Sequence, residues 1–93
     1  MIKVAYDNVL LCPKCDGDNL HHSSVEVIVR DGEDGPGTSA LSSRDGTTVS
    51  RVDASEIIGR RNAMVVSFWC EECGDLDERL SIYQHKGCTI IDW

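Results

Sequence analysis

The chain has 93 residues, a formal net charge of −7 at pH 7, and only 5% aromatic residues. A single domain of this size buries little apolar surface and commonly needs a crosslink or a metal ion to be stable. The acidic excess disfavours binding to phosphate backbones. No apolar run is long enough to cross a bilayer, and the first residues are too polar for a signal peptide, so the sequence predicts a cytoplasmic protein.

The first predicted element is a short strand or extended segment over residues 1–11, which leads into the Cys-x-x-Cys pair Cys12 and Cys15. Such a turn can present two thiolates to one metal ion. Gly17 is predicted to adopt a positive φ that lets backbone amides point toward cysteine sulfur. A strand is then predicted over residues 20–30, where valines alternate with polar residues.

A long, irregular and flexible insert is predicted over residues 31–62, because glycine, serine, threonine and arginine dominate the first half of this segment. The local structure expected within it is a short strand near 47–52 and one helical turn from Asp53 to Gly59. Two interpretations remain open, because long loops in small domains are often functional. The insert is either a tolerated linker or a loop that becomes ordered on a partner.

Three strands are predicted in the C-terminal third of the chain, over residues 63–69, 79–84 and 88–93. The first of them leads directly into the second Cys-x-x-Cys pair, Cys70 and Cys73. The other two are predicted to form a hairpin.

A three-residue hairpin loop over 85–87, with Gly87 left-handed, sets the predicted register. It pairs Ile82 with Ile90, and it places Asp92 on the same face as Ile82. Both faces of this hairpin are partly apolar, so one face needs a cover. The cover is either the rest of the chain or a dimer or partner surface.

Two Cys-x-x-Cys pairs supply the four soft ligands of a closed tetrahedral zinc site. The predicted metal ligands are Cys12, Cys15, Cys70 and Cys73. Four protein ligands leave no position open for a catalytic water, so the ion is predicted to be structural. A rubredoxin-like iron site uses the same ligands, so iron remains an alternative.

Cys88 is the fifth cysteine and is expected to be a free thiol. Two alternatives are a second metal site with His21 or His22 and a nucleophile pair with His85. No third catalytic group or oxyanion hole is evident, so we predict no catalytic residues and no enzyme activity. His21 and His22 are also candidate hydrogen-bond donors to cysteine sulfur.

The two cysteine pairs, each followed by a strand, resemble the zinc-ribbon fold group. The segments LHHSSVEVIVRDGEDGPG and SFWCEECGDLDERLSIYQHKG are similar to small uncharacterised zinc-ribbon proteins of actinobacteria and their phages. Residues 40–55 show no such similarity. The resemblance implies a cytoplasmic accessory protein with a structural metal. Asp16 and Gly17 follow the first pair, whereas zinc ribbons of the transcription machinery usually have glycine directly after each pair. This departure weakens a direct transfer of their nucleic-acid roles to the chain.

These features together predict a single, mostly β zinc-ribbon domain over residues 1–93, with three to five antiparallel strands. Its expected function is that of a non-catalytic interaction module. The expected partner is another protein or a second copy of the chain, bound through an apolar sheet face or through the acidic residues near the cysteines. The alternative function is nucleic-acid binding through the arginines of the insert. These are Arg44, Arg51, Arg60 and Arg61.

Overall fold

The computed structural model describes residues 2–93 and contains one antiparallel sheet that curls into a half-barrel. The six strands are β1 (Leu20–Arg30), β2 (Gly37–Ser43), β3 (Gly46–Val52), β4 (Ala63–Cys70), β5 (Gly74–His85) and β6 (Cys88–Asp92). Their order across the sheet is β3-β2-β1-β4-β5-β6. Within residues 2–93, no helix has both the length and the hydropathy that crossing a membrane requires.

The sheet consists of two three-stranded meanders that meet side by side. Strands β1, β2 and β3 pair in sequence order, and so do β4, β5 and β6. The meanders join through β1 and β4, which pair Leu20 with Cys70 at one end and Ile28 with Ala63 at the other. We call these two ends the cysteine end and the far end.

The structure has six strands rather than the predicted three to five, because residues 31–62 are not irregular throughout. They contribute β2 and β3, which pair from Gly37 and Val52 to Ser43 and Gly46. Most side chains of this hairpin are polar, and β3 is exposed along nearly all of its length, so an apolar pattern does not mark the hairpin. Its backbone N–H and C=O groups pair whatever the side chains are.

Two shorter segments of local structure lie outside the strands. The predicted turn after Asp53 forms a 3-10 helix over Ala54–Glu56, closed by reciprocal hydrogen bonds between Asp53 and Glu56. The N-terminal segment forms a loop rather than a strand of the sheet, with Val4 bridged to Leu10. A second 3-10 turn over Tyr6–Asn8 lies at the tip of this loop.

The last hairpin differs from its predicted register by one residue. Its loop contains two residues, Lys86 and Gly87, with φ values of 51° and 78°. Positive φ at both central residues is the type I′ geometry that matches strand twist. Ile82 therefore pairs with Ile91, and Asp92 lies on the opposite face of the sheet from Ile82.

Two small cores lie on opposite faces of the sheet, because their residues on β4 differ by an odd number of positions. The core at the cysteine end contains Cys12, Phe68, Cys70, Leu76 and Leu80, and the N-terminal Ile2 and Leu10 pack against it. The core at the far end contains Ile28, Ile57 and Ala63. Each core covers only part of its face.

Arg30 connects the two loops of the far end. Its guanidinium donates hydrogen bonds to the backbone carbonyls of Gly35, Ile57, Gly59 and Arg61. The first carbonyl belongs to the β1–β2 turn and the other three to the segment before β4. This one side chain therefore holds the start and the end of the insert against the sheet.

Replacing Gly59 with alanine should lower the free energy of unfolding by about 2 kcal/mol, against about 1 kcal/mol for Gly87→Ala. Both glycines have a φ of +78°, so both substitutions force alanine into the left-handed region. Only at Gly59 would the new methyl group also lie 2.8 Å from the backbone oxygen of Gln84. Urea denaturation of the two variants measures the difference. Equal losses would show that the backbone relaxes around Gly59.

Candidate metal centre

The four cysteines of the two Cys-x-x-Cys pairs lie together at the cysteine end. Their sulfur atoms, on Cys12, Cys15, Cys70 and Cys73, all lie within 4.8 Å of one another. The sulfurs of Cys15 and Cys70 are 3.6 Å apart. A tetrahedral ion with metal–sulfur distances of about 2.3 Å separates its ligands by about 3.8 Å, so the donor set fits such an ion.

The first cysteine turn is built by backbone hydrogen bonds around Cys12. Its N–H donates to the Gly17 carbonyl at 2.8 Å, and its carbonyl accepts from the Asp16 N–H at 3.0 Å. The left-handed residue is Asp16, with a φ of 60°, and not Gly17 as predicted. Gly17 is needed for space, because a Cβ there would lie 3.1 Å from the Cys15 sulfur.

The second cysteine turn prepares Cys70 for ionisation. The backbone N–H groups of Cys73 and Glu72 donate to its sulfur and lower the pKa of Cys70 to about 7. The Glu71 N–H donates to the Asn19 carbonyl at 3.2 Å, which ties this turn to the residues after the first turn. Backbone amides aimed at sulfur stabilise a thiolate, which is the form that binds a metal.

Whereas the pKa of Cys70 is lowered, the crowding of sulfur atoms raises the pKa of Cys15. The Gly17 N–H lowers its pKa, but the neighbouring Cys73, Cys70 and Cys12 thiols together with partial burial raise the pKa of Cys15 to about 12. Neighbouring thiols share protons because adjacent thiolates repel each other. A divalent cation removes that repulsion, so the chemistry of the donor set also fits a metal ion.

The two histidines after the first cysteine pair do not contact the sulfurs. His21 stacks on Trp69 with ring centroids 4.2 Å apart, and its Nε2 lies 3.0 Å from a carboxylate oxygen of Glu71. His22 meets the edge of Phe68. The predicted hydrogen bonds from these histidines to sulfur are therefore replaced by aromatic packing and by an exposed hydrogen bond between His21 and Glu71.

Cys88 lies away from the candidate metal centre. It pairs with His85 beside the last turn at the far end, and both side chains are exposed. His21 and His22 pair with β4 residues at the cysteine end. The alternative of a second metal site built from Cys88 and these histidines is therefore wrong.

Charged residues distribute unevenly over the molecule. Exposed carboxylates surround the cysteine turns, on Asp16, Asp18, Glu71, Glu72 and Asp75. Three of the four insert arginines instead pair with acids. Arg51 lies 2.5 Å from Asp31, Arg60 lies 2.9 Å from Asp34, and Arg61 lies 3.7 Å from Glu33. The Arg51 guanidinium lowers the pKa of Asp31, and that of Arg60 lowers the pKa of Asp34.

The fold and the site define an antiparallel β protein with a tetracysteine group that can hold a metal ion. Comparison of the chain with protein-family models, curated proteins and solved structures gave no match. The function must therefore be inferred from the surfaces and the chemistry of this chain.

Proposed function

We propose that the chain is a non-catalytic interaction module that acts in the cytoplasm. A structural zinc ion on the four clustered cysteines holds its fold, in the manner of a zinc ribbon, and an uncovered apolar sheet face binds another protein. Zinc suits four thiolates in a tetrahedral arrangement, and four sulfur ligands leave no position for a reacting water. A reducing cytoplasm keeps the thiols available to the ion.

The observation that carries the proposal is a row of apolar residues that crosses all six strands. The strand register aligns them as Val49, Ala40, Val27, Met64, Ile82 and Ile91, which we call the central row. Facing residues in antiparallel strands project on the same side, so the central row defines one face, the open face. Large apolar residues in a contiguous exposed patch mark interaction sites.

The exposure of the central row is high for apolar side chains. Val27 is 40% exposed, Met64 41%, Ile91 52% and Val49 66%. A cavity of about 330 Å³ opens between Val27, Val29, Met64 and Ile82. The open face is thus uncovered except near the cysteine end, where the N-terminal loop packs against the first core.

The acidic cysteine end and the insert arginines are weaker candidates for the binding surface. The carboxylates at the cysteine end are exposed, and a solvated acidic face also serves solubility. Arg51, Arg60 and Arg61 pair with acids, which cancels much of the positive charge that phosphate contacts need. Nucleic-acid binding is therefore the second candidate.

Capture from a lysate of the source organism tests the proposal, with the zinc-loaded chain immobilised. A protein that binds the open face should be retained by the natural chain and lost with Val27→Glu, which places a charge in the central row. The matched control is Leu41→Glu, because Leu41 is 42% exposed and pairs with Glu26 on the opposite face. We expect at least about a tenfold loss of affinity for Val27→Glu alone.

A Cys70→Ser chain serves as the control for contacts with unfolded protein, and proteins that it also retains are discarded. Equal capture by the natural chain and by Val27→Glu would contradict the proposal. Binding of DNA or RNA that weakens steeply with salt would instead favour the second candidate.

A further inference from the structure

We propose that the open face binds a second copy of this chain, packed sheet on sheet about a twofold axis. The proposal rests on the proposed function in one respect, namely that the open face is the binding surface. It adds the identity of the partner.

The first argument is the charge of the central row. A twofold interface brings the same surface of each copy together, so any net charge in it meets a like charge. A chain with a net charge of −7 self-associates more readily through a surface that carries no net charge. The six residues of the central row are all uncharged.

The rows on either side of the central row keep the same character. One contains Thr47, Ser42, Val25, Val66 and Leu80, and the other includes Arg51, Thr38 and Val29. Of the described residues in these rows, Arg51 alone is charged, and Asp31 neutralises it at 2.5 Å. A face without net charge offers a charged partner no electrostatic complement. A second copy of the same face needs none.

The acids of the neighbouring strand positions lie on the other side of the sheet. Glu26 faces Leu41 and Val65, and Asp92 faces Ser81, so both project away from the central row. The register of the last hairpin matters here, because it pairs Ile82 with Ile91 and places Asp92 on the opposite face, whereas the predicted register placed Asp92 on the same face as Ile82.

The second argument is area. Six strands spaced about 4.8 Å apart and three rows spaced about 6.8 Å apart span about 600 Å² on each copy, and the N-terminal loop covers the part around Val66 and Leu80. Stable interfaces bury about 800 Å² per partner, and weaker ones about 600 Å² or less. The uncovered part of the open face therefore has the size of a weak, reversible interface, and we expect a dissociation constant in the micromolar range.

The axis of the dimer passes near the middle of the central row. Val27 on β1 and Met64 on β4 are paired neighbours on the two central strands of the sheet. Two such sheets pack face to face about 10 Å apart, with their strands nearly aligned. Met64 of one copy then lies close to Met64 of the other.

Sedimentation velocity of the zinc-loaded chain from about 1 to 500 μM, a range around the expected dissociation constant, tests the inference. The mass should rise from 10.3 kDa to twice that value. Met64→Glu and Met64→Lys should each remain monomeric, and an equimolar mixture of the two should dimerise. Leu41→Glu and Leu41→Lys are the matched controls and should dimerise like the natural chain, because Leu41 is as exposed as Met64 but lies on the opposite face.

A monomer at every concentration would overturn the inference, as would dimers of the separate Met64 variants or a mixture that stays monomeric. The proposed function fails separately. If the natural chain is monomeric and Val27→Glu still loses a captured protein, the open face binds a different partner. Far-UV circular dichroism shows whether the Met64 variants fold, and if they do not, Ile91→Glu on the edge strand places the charge at a second position of the central row.

Discussion

A chelator that removes the proposed zinc ion, or the replacement of Cys73 with serine, should unfold the chain at room temperature. A structural zinc site contributes about 10–16 kcal/mol of apparent binding free energy. Small domains have a total stability of about 5–15 kcal/mol, so the loss is comparable with the entire stability of the fold. Cys12 and Cys70 are also members of the core at the cysteine end, and the far-end core contains three buried residues within the described range 2–93.

Circular dichroism and tryptophan fluorescence measure this unfolding. Trp69 stacks on His21 and Trp93 packs against Phe68, so both report on the cysteine end. Adding zinc back to the chelated natural chain should restore both signals. Cys88→Ser is the control, because Cys88 is exposed and outside the cluster. Native protein that contains no metal, or an unchanged unfolding midpoint in the chelator, would contradict the metal centre.

Replacing Arg30 with methionine should lower the free energy of unfolding by about 3 kcal/mol, because hydrogen bonds from a charged donor contribute more than neutral ones. Four backbone carbonyls in two loops would lose their donor at once. Arg30→Lys should lose most of the same stability, since an ammonium has three donors and cannot reproduce the planar guanidinium.

Denaturant unfolding of the zinc-loaded variants measures this effect. Arg44→Met is the matched control, because Arg44 is exposed in the β2–β3 turn and should change the stability by less than about 0.5 kcal/mol. A loss at Arg30 no larger than that at Arg44 would show that water replaces the guanidinium at these carbonyls.

The sequence was most informative where local patterns decide the structure. The spacing of the cysteines within each pair places two sulfurs on one turn, and the four sulfurs do come together. Alternation of valines predicted β1 over residues 20–30, which are its observed bounds. The strand predicted over 63–69 is β4, one residue longer.

Features that depend on backbone pairing were harder to predict. The strand predicted near 47–52 is β3, but its partner β2 was not predicted, because the hairpin lacks an apolar stripe. The register of the last hairpin depends on whether His85 belongs to the loop or to the strand, and it belongs to β5. The role of Arg30 was missed because its acceptors are main-chain oxygens of irregular segments, which no side-chain pattern marks.

The division of the sheet into two meanders has a consequence for how the protein is made. Every strand pairing within a meander is local, so each half can begin to form as it leaves the ribosome. Cys15 and Cys70 are 55 positions apart in the chain. The first cysteine pair is therefore translated, and its thiols are free, before the second pair has been made. Under the proposed function, the metal ion therefore joins two halves that can each begin to form separately, and it can be bound only after both cysteine pairs have been translated.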